Sequence, residues 1–246
     1  MDYENDFEDY SLKTKYGRIH YKHHAGQLKT IIMVHGLASS TRTWSRLVHF
    51  LPGGLNLYLV DLLGHGESDA PETKYTVHMQ VDILQSLIED QKLKDVCLLG
   101  HSYGGWIAAV YAKDHAASSI VLEDSAGLEE FYNEVKGTET REKYKEEVLE
   151  KAVALGGRKH VVEAILDDEF RKGQLEEKDL KEIKVPTLII WGAQDSVIEV
   201  KYARVFQREI SGSRLSIIEG ARHTPHYSNP EKVSETFLDF IGSRDK

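Results

Sequence analysis

The sequence predicts an α/β fold, a mostly parallel sheet covered by helices on both faces. Three observations lead there. Short apolar runs bounded by Gly, Asp or His alternate along the chain with stretches in which apolar residues recur every three or four positions. The runs are apolar throughout rather than at every second residue, as in parallel strands buried on both faces. The 246 residues suit one large domain, or one domain carrying an insertion. Strand and helix patterns in alternation imply βαβ crossovers.

Taken in order, residues 10–15 and 18–23 around Gly17 read as an antiparallel hairpin at one edge of the sheet. Residues 31–34, 55–60, 96–99 and 120–122 read as buried strands. Val77, Val81, Leu84 and Ile88 form the stripe of an amphipathic helix, and Ile107, Val110 and Tyr111 do the same after Ser102. Over residues 129–184 the texture changes: 28 of 56 residues are charged and no strand-like run occurs, which reads as a helical insertion. One helix is expected to carry Tyr144, Val148, Ala152 and Leu155 inward and stop at Gly156. A second is expected to carry Val161, Ile165 and Leu166 and stop at Gly173. The alternation resumes with strands at 187–191 and Arg214–Ile218. A last helix has Asn229 as its N-cap, Pro230 at its first position, and Val233, Phe237, Phe240 and Ile241 as its buried stripe.

Lys and Arg number 31 against 40 Asp and Glu, a net charge of −9. Such a surface repels phosphate backbones and anionic headgroups, so the expected partner is a small molecule, not nucleic acid or a membrane. The longest apolar stretch, residues 106–112, is far short of the roughly 20 needed to span a bilayer. The acidic start (Asp2, Glu4, Asp6, Glu8, Asp9) is unlike a signal peptide. Cys97 is the only cysteine, sits among apolar neighbours and reads as a core residue; a cytoplasmic location is expected.

The strongest chemical signal is Gly100-His101-Ser102-Tyr103-Gly104-Gly105, between a buried strand and a helical pattern. A serine on a sharp strand-to-helix turn presents its hydroxyl above the sheet, and its neighbours must be small because strand and helix approach closely there. The hydroxyl needs a base to take its proton and an acid group to orient the base. Asp195 follows the strand at 187–191, and His223 lies between the last strand and the last helix, so the order is Ser102, Asp195, His223. Asp124 also ends a strand and is a second candidate to orient the base; His226 lies three residues from His223. Negative charge developing on a substrate carbonyl needs an oxyanion hole. The backbone N–H groups of Leu37, in His35-Gly36-Leu37, and of Tyr103 are its expected donors, with His35 itself bracing the loop.

With these motifs the chain resembles the α/β-hydrolase superfamily, in particular compact esterase-like members with a helical lid. The resemblance runs from about Tyr10 to Ile241 and also rests on the turn Asp61-Leu62-Leu63-Gly64-His65-Gly66-Glu67-Ser68 and the block Val185-Pro186-Thr187…Trp191-Gly192…Asp195. It implies a sheet of about eight strands in a single domain over 1–246, with a lid at 127–184. It also implies that residues 61–68 are scaffold, despite the look of His65 as a base. Arg222 departs from the usual Gly before the histidine, and Ser102 separates the chain from relatives with Asp at that point. The expected activity is carboxylesterase-like serine hydrolysis of a short- to medium-chain ester or related acyl compound, without metal or organic cofactor. Alternatives are a C–C bond hydrolase, thioesterase, lactonase or menaquinone-pathway lyase, or a ligand-binding receptor that keeps the triad. The insertion is expected to have both ends at the C-terminal side of the sheet, to lie over Ser102, and to line a modest pocket with Leu128, Phe131, Tyr132, Tyr144, Val148, Ile165, Leu166 and Phe170.

Overall fold

The computed structural model describes residues 1–134, 138–169 and 174–242. Its strands are β1 (Glu8–Thr14), β2 (Gly17–His24), β3 (Thr30–Val34), β4 (Asn56–Val60), β5 (Cys97–His101), β6 (Ser119–Glu123), β7 (Thr187–Gly192) and β8 (Arg214–Ile218). They form one sheet in the order β1-β2-β4-β3-β5-β6-β7-β8. β1 and β2 pair antiparallel about Gly17, β2 joins β4 antiparallel, and every pairing from β4 to β8 is parallel.

The central strands β3 to β7 read as largely apolar runs because both faces are covered. On β3, Ile32 and Val34 enter one apolar layer and Ile31 and Met33 the other; on β7, Ile189 and Trp191 oppose Leu188 and Ile190. Successive side chains point to opposite faces, and here neither face meets water. The first layer is closed by α2 (Val77–Asp90), α3 (Tyr103–Asp114) and, later in the chain, Tyr202, Ala203 and Phe206 of the helix Lys201–Glu209. The second is closed by α1 (Ser45–His49) and by Val233, Phe237, Phe240 and Ile241 of the helix Pro230–Gly242. The Thr76 hydroxyl caps α2 by accepting from the Met79 N–H at 3.1 Å.

Between β6 and β7 run α4 (Glu129–Glu134), α5 (Thr138–Ala154), α6 (Lys159–Glu169) and α7 (Glu177–Glu182). The expected stops differ from one another. Gly156 adopts φ 94° and ends α5 as expected, with the Gly157 N–H donating to the Ala152 carbonyl at 2.8 Å. Gly173 and Phe170 lie outside the described residues. Leu155, counted inward by spacing, is 79% exposed. The chain turns at Gly156 and seats Gly157 against Ala38, so the residue before the turn is left outside.

The expectation that both ends of the insertion sit at the C-terminal side of the sheet fails. Because β6 and β7 are parallel, the segment leaves beside Ser102 but must return to the opposite edge. The Leu175 N–H donates to the Gly127 carbonyl at 2.7 Å and the Glu129 N–H to the Leu175 carbonyl at 3.0 Å, clasping the base of the excursion. Beyond that clasp α7 serves as the crossover helix, with Leu180 in the first apolar layer. α5 and α6 remain at the C-terminal edge: Ala152, Val162 and Leu166 form a small apolar cluster with Leu37 and Ala38, and the Arg158 guanidinium donates to the carbonyls of Ser68 and Gly66 at 3.1 and 3.0 Å. Completing the chain are α8 (Lys201–Glu209), α9 (Pro225–Ser228) and α10 (Pro230–Gly242).

Candidate active site

The parallel order β3-β5-β6-β7-β8 lines up five strand ends at one edge, where ligands bind in open α/β sheets. Ser102 follows β5 and precedes α3, with φ 53° and ψ −114°. A non-glycine residue there is strained, and its surroundings hold it. The Ser102 N–H donates to the Glu123 carbonyl at 2.9 Å, and its own carbonyl accepts the N–H groups of Gly105, Trp106 and Ala126 at 2.9, 3.2 and 3.0 Å. The flanking glycines are demanded by contact. A Cβ on Gly100 would lie 2.2 Å from the Gly104 carbonyl oxygen, and one on Gly104 would lie 2.1 Å from that of Val34.

The Ser102 hydroxyl lies 3.0 Å from His223 Nε2, and His223 Nδ1–H donates to Asp195 Oδ2 at 2.8 Å. Asp195 is held in turn: its Oδ1 accepts the N–H groups of Val197 and Ile198 at 2.7 and 3.0 Å. Its side chain is buried, while His223 keeps an exposed edge. Thus the fold brings together three residues from the ends of β5, β7 and β8. Asp124, the other acid considered, ends β6 beside them; its Oδ1 accepts the Gly192 N–H at 2.9 Å and makes no bond to His223.

The loop after β3 abuts the serine. A Cβ on Gly36 would meet His101 Nδ1 at 2.9 Å and the Ser102 Cβ at 3.2 Å. Leu37 therefore follows a residue in contact with Ser102, and no bond of its N–H occurs among the described residues. Tyr103 is the first residue of α3, where N–H groups lack intrahelical acceptors. His35 is fully buried, with Nε2 accepting the Leu62 N–H at 3.1 Å and Nδ1 2.7 Å from the Gly36 carbonyl; burial lowers its pKa. It ties the loop after β3 to the turn at 61–68. In that turn Asp61 accepts the N–H groups of Thr41 and Glu67 at 2.7 and 2.9 Å. His65 is buried, and burial with nearby His35 brings its pKa down to about 3, unsuited to a base near neutral pH.

Two supports were not legible in the sequence. His101 Nε2–H donates to the His223 carbonyl at 2.6 Å, fixing the loop that carries the base, and burial followed by the neighbouring His226 and His223 keeps its pKa well below normal. Glu123 accepts the His226 N–H at 2.7 Å and Nδ1–H at 2.8 Å, while His226 Nε2 lies 2.7 Å from the Thr43 hydroxyl. Fully buried with both ring nitrogens engaged, His226 braces the base of the loop and is not available to Ser102. Only the His101 position carried a sequence signal, inside the Gly-x-Ser-x-Gly string. Arg222 is exposed and belongs to no ion pair among the described residues.

The family model described as "Alpha/beta hydrolase family" matches residues 31–236. A human monoacylglycerol lipase is 28% identical over 258 residues, covering 89% of this chain and 77% of its own. Among solved structures, a bromoperoxidase from Bacillus anthracis superposes with a TM-score of 0.82 at 22% identity, covering 96% of this chain and 100% of that one. An esterase from Exiguobacterium antarcticum gives 0.79 at 23% identity, again over 96% and 100%. At these identities the two structures speak for the fold alone. No helix among the described residues is long and apolar enough to cross a membrane.

Proposed function

The chain belongs to the alpha/beta hydrolase family, and from that premise we propose that it is a serine hydrolase, carboxylesterase-like, acting on a short- to medium-chain carboxylic ester or related acyl compound. The observation that carries the reading is the unbroken chain of contacts from the Ser102 hydroxyl through His223 to Asp195, at 3.0 and 2.8 Å, on a strained strand-to-helix turn.

In this reading Ser102 Oγ attacks the carbonyl carbon as His223 Nε2 takes its proton, and Asp195 holds the imidazole in the required tautomer and stabilises the imidazolium. The carbonyl oxygen becomes an anion, received by the N–H groups of Leu37 and Tyr103. Collapse breaks the bond to the alcohol, which leaves with the proton from His223. Water then attacks the acyl-enzyme by the same route, releasing the acid and restoring Ser102. No step needs a redox partner, because the acyl group is transferred without change of oxidation state.

Within the segment 127–184, α5 and α6 form the lid over this site, since Ala152, Val162 and Leu166 cluster with Leu37 and Ala38 of the oxyanion loop. Its small span argues for modest acyl groups. The human relative is named for cleaving monoacylglycerols, and that name supports an ester substrate. The test is a panel of p-nitrophenyl esters of increasing acyl length, with a fluorophosphonate probe as a second readout. Wild type should turn over the shorter esters and be labelled at Ser102. Ser102→Ala should lose labelling and most of kcat, about a million-fold if the three residues act as a unit. Labelling of folded Ser102→Ala at another serine would reject the assignment.

A further inference from the structure

Asp124 is a buried carboxyl group beside the base's own carboxylate, a position the mechanism above does not use. It ends β6 with φ 43°, and its N–H donates to the Ile190 carbonyl at 3.0 Å, so the backbone is locked to β7. Asp and Asn tolerate this left-handed conformation better than other side chains. Asp124 Oδ1 accepts the Gly192 N–H at 2.9 Å, whereas Oδ2 is buried and has no donor among the described residues. One oxygen of Asp124, one oxygen of Asp195 and a ring nitrogen of His223 all lie within 4.8 Å of one another.

Two buried carboxylates at such a distance do not both stay ionised. The hydrogen bonds decide which one keeps its charge. Asp195 accepts three donors, from Val197, Ile198 and His223, and each favours its ionised form; Asp124 accepts one. The other charged or titratable groups around Asp124 point the same way. Glu123, the preceding residue on β6, adds negative charge; its own carboxylate is taken up by His226, and His101 packs against His226 and His223. No cation is paired with Asp124 among the described residues.

We propose that Asp124 is a positioning residue that remains protonated and donates from Oδ2 to the Asp195 carboxylate, so that a carboxyl pair holding one proton, rather than a lone carboxylate, orients His223. Burial, then the charges of Glu123 and Asp195, hold the Asp124 carboxyl well above the usual carboxylate range, consistent with this assignment. The donated bond draws charge off Asp195 and fixes its plane, so it moderates how strongly Asp195 stabilises the imidazolium. Its effect on catalysis rests on the proposed triad; the shared proton itself rests only on the geometry of the two carboxyl groups.

The test is Asp124→Asn, which suits the left-handed backbone, can still accept from Gly192, and offers an amide N–H to Asp195 in place of the acid proton. Infrared difference spectra of wild type minus variant, at about pH 7, should contain the carbonyl stretch of a protonated carboxylic acid. The acidic limb of kcat/KM on a p-nitrophenyl ester should stay in place. Both results follow because the pair carries one negative charge in either protein. If Asp124 is instead ionised, the difference spectrum contains only carboxylate bands, and removing its charge moves the limb to lower pH; that result overturns the proposal. So does chelator-sensitive activity without the acid band, which would mean that a cation screens the pair. The infrared band needs no turnover, so failure of ester hydrolysis in wild type would reject the triad while leaving the proton assignment to be decided. Should the variant not fold, the same band followed across pH in wild type labelled at aspartate decides it: no acid band near neutral pH refutes the shared proton.

Discussion

Lowering the pH from about 7.5 to about 5 should cost wild type about 2 kcal/mol of stability through His65 alone. The ring is buried, Nδ1 lies 3.2 Å from the Leu63 carbonyl, and Nε2 has no partner among the described residues. Burial and His35 hold its folded pKa at about 3, against about 6.5 in the unfolded chain. At pH 5 the unfolded state therefore binds a proton that the folded state refuses. For a histidine whose pKa is lowered by folding, the stabilisation is present above the unfolded value and is lost as pH falls below it. With an unfolded pKa about 1.5 units above the final pH, linkage gives roughly 2 kcal/mol. The result barely depends on the folded pKa while that stays more than a unit below 5. His65→Phe removes the titration at little structural cost, because the Leu63 carbonyl still accepts from Gln80 Nε2 at 3.1 Å and no nitrogen is left unpartnered. His35 and His101, also kept neutral by burial, titrate alike in both proteins and cancel in the comparison. Urea unfolding of both proteins at the two pH values measures the difference. Wild type should lose about 2 kcal/mol more than the variant, and ester hydrolysis by the variant should persist. Equal losses would refute the buried neutral histidine, and loss of turnover in a folded variant would make His65 part of the chemistry rather than of the scaffold.

His20 behaves with the opposite sign. Its bond to Asp61 raises its pKa, overcoming burial with help from Asp9, so its stabilisation is present below about 6.5 and is lost as pH rises through the raised value; the stability gap between wild type and His20→Asn should shrink on going from acid to alkaline pH, and a pH-independent gap would contradict it. Gly104→Ala places a Cβ 2.1 Å from the Val34 carbonyl oxygen and should destabilise by about 3 kcal/mol or fail to fold, as read by thermal melts. Phe131→Ala or Ile165→Ala should shift the acyl-length preference toward longer esters; an unchanged ranking in folded variants would remove the lid from substrate selection.

Most of the architecture was legible because hydrophobic spacing reports burial directly. The runs at 31–34 and 96–99 are apolar on both sides of the strand since two layers of helices cover the sheet, and the stripe at Val233, Phe237 and Ile241 is buried as its spacing implies. Spacing misplaced Leu155, because the helix ends at Ala154 and the turn at Gly156 leaves the residue before it outside. It also misjudged the return of the insertion, because composition does not record at which sheet edge a segment ends. Among candidate acids the sequence favoured Asp195, by the order Ser102, Asp195, His223, over Asp124, which also follows a strand.

By itself, then, the sequence determined the strands, the covering helices α2, α3 and α10 and the serine turn, since each depends on residues within a few positions of one another. Only the tertiary structure decided how closely Asp195 meets His223, why His226 cannot serve as the base, and that His101 steadies the His223 loop. Those contacts join residues 28, 103 and 122 positions apart. They are distances of about 3 Å created when β5 to β8 align their ends, and no local pattern of side chains encodes such a distance.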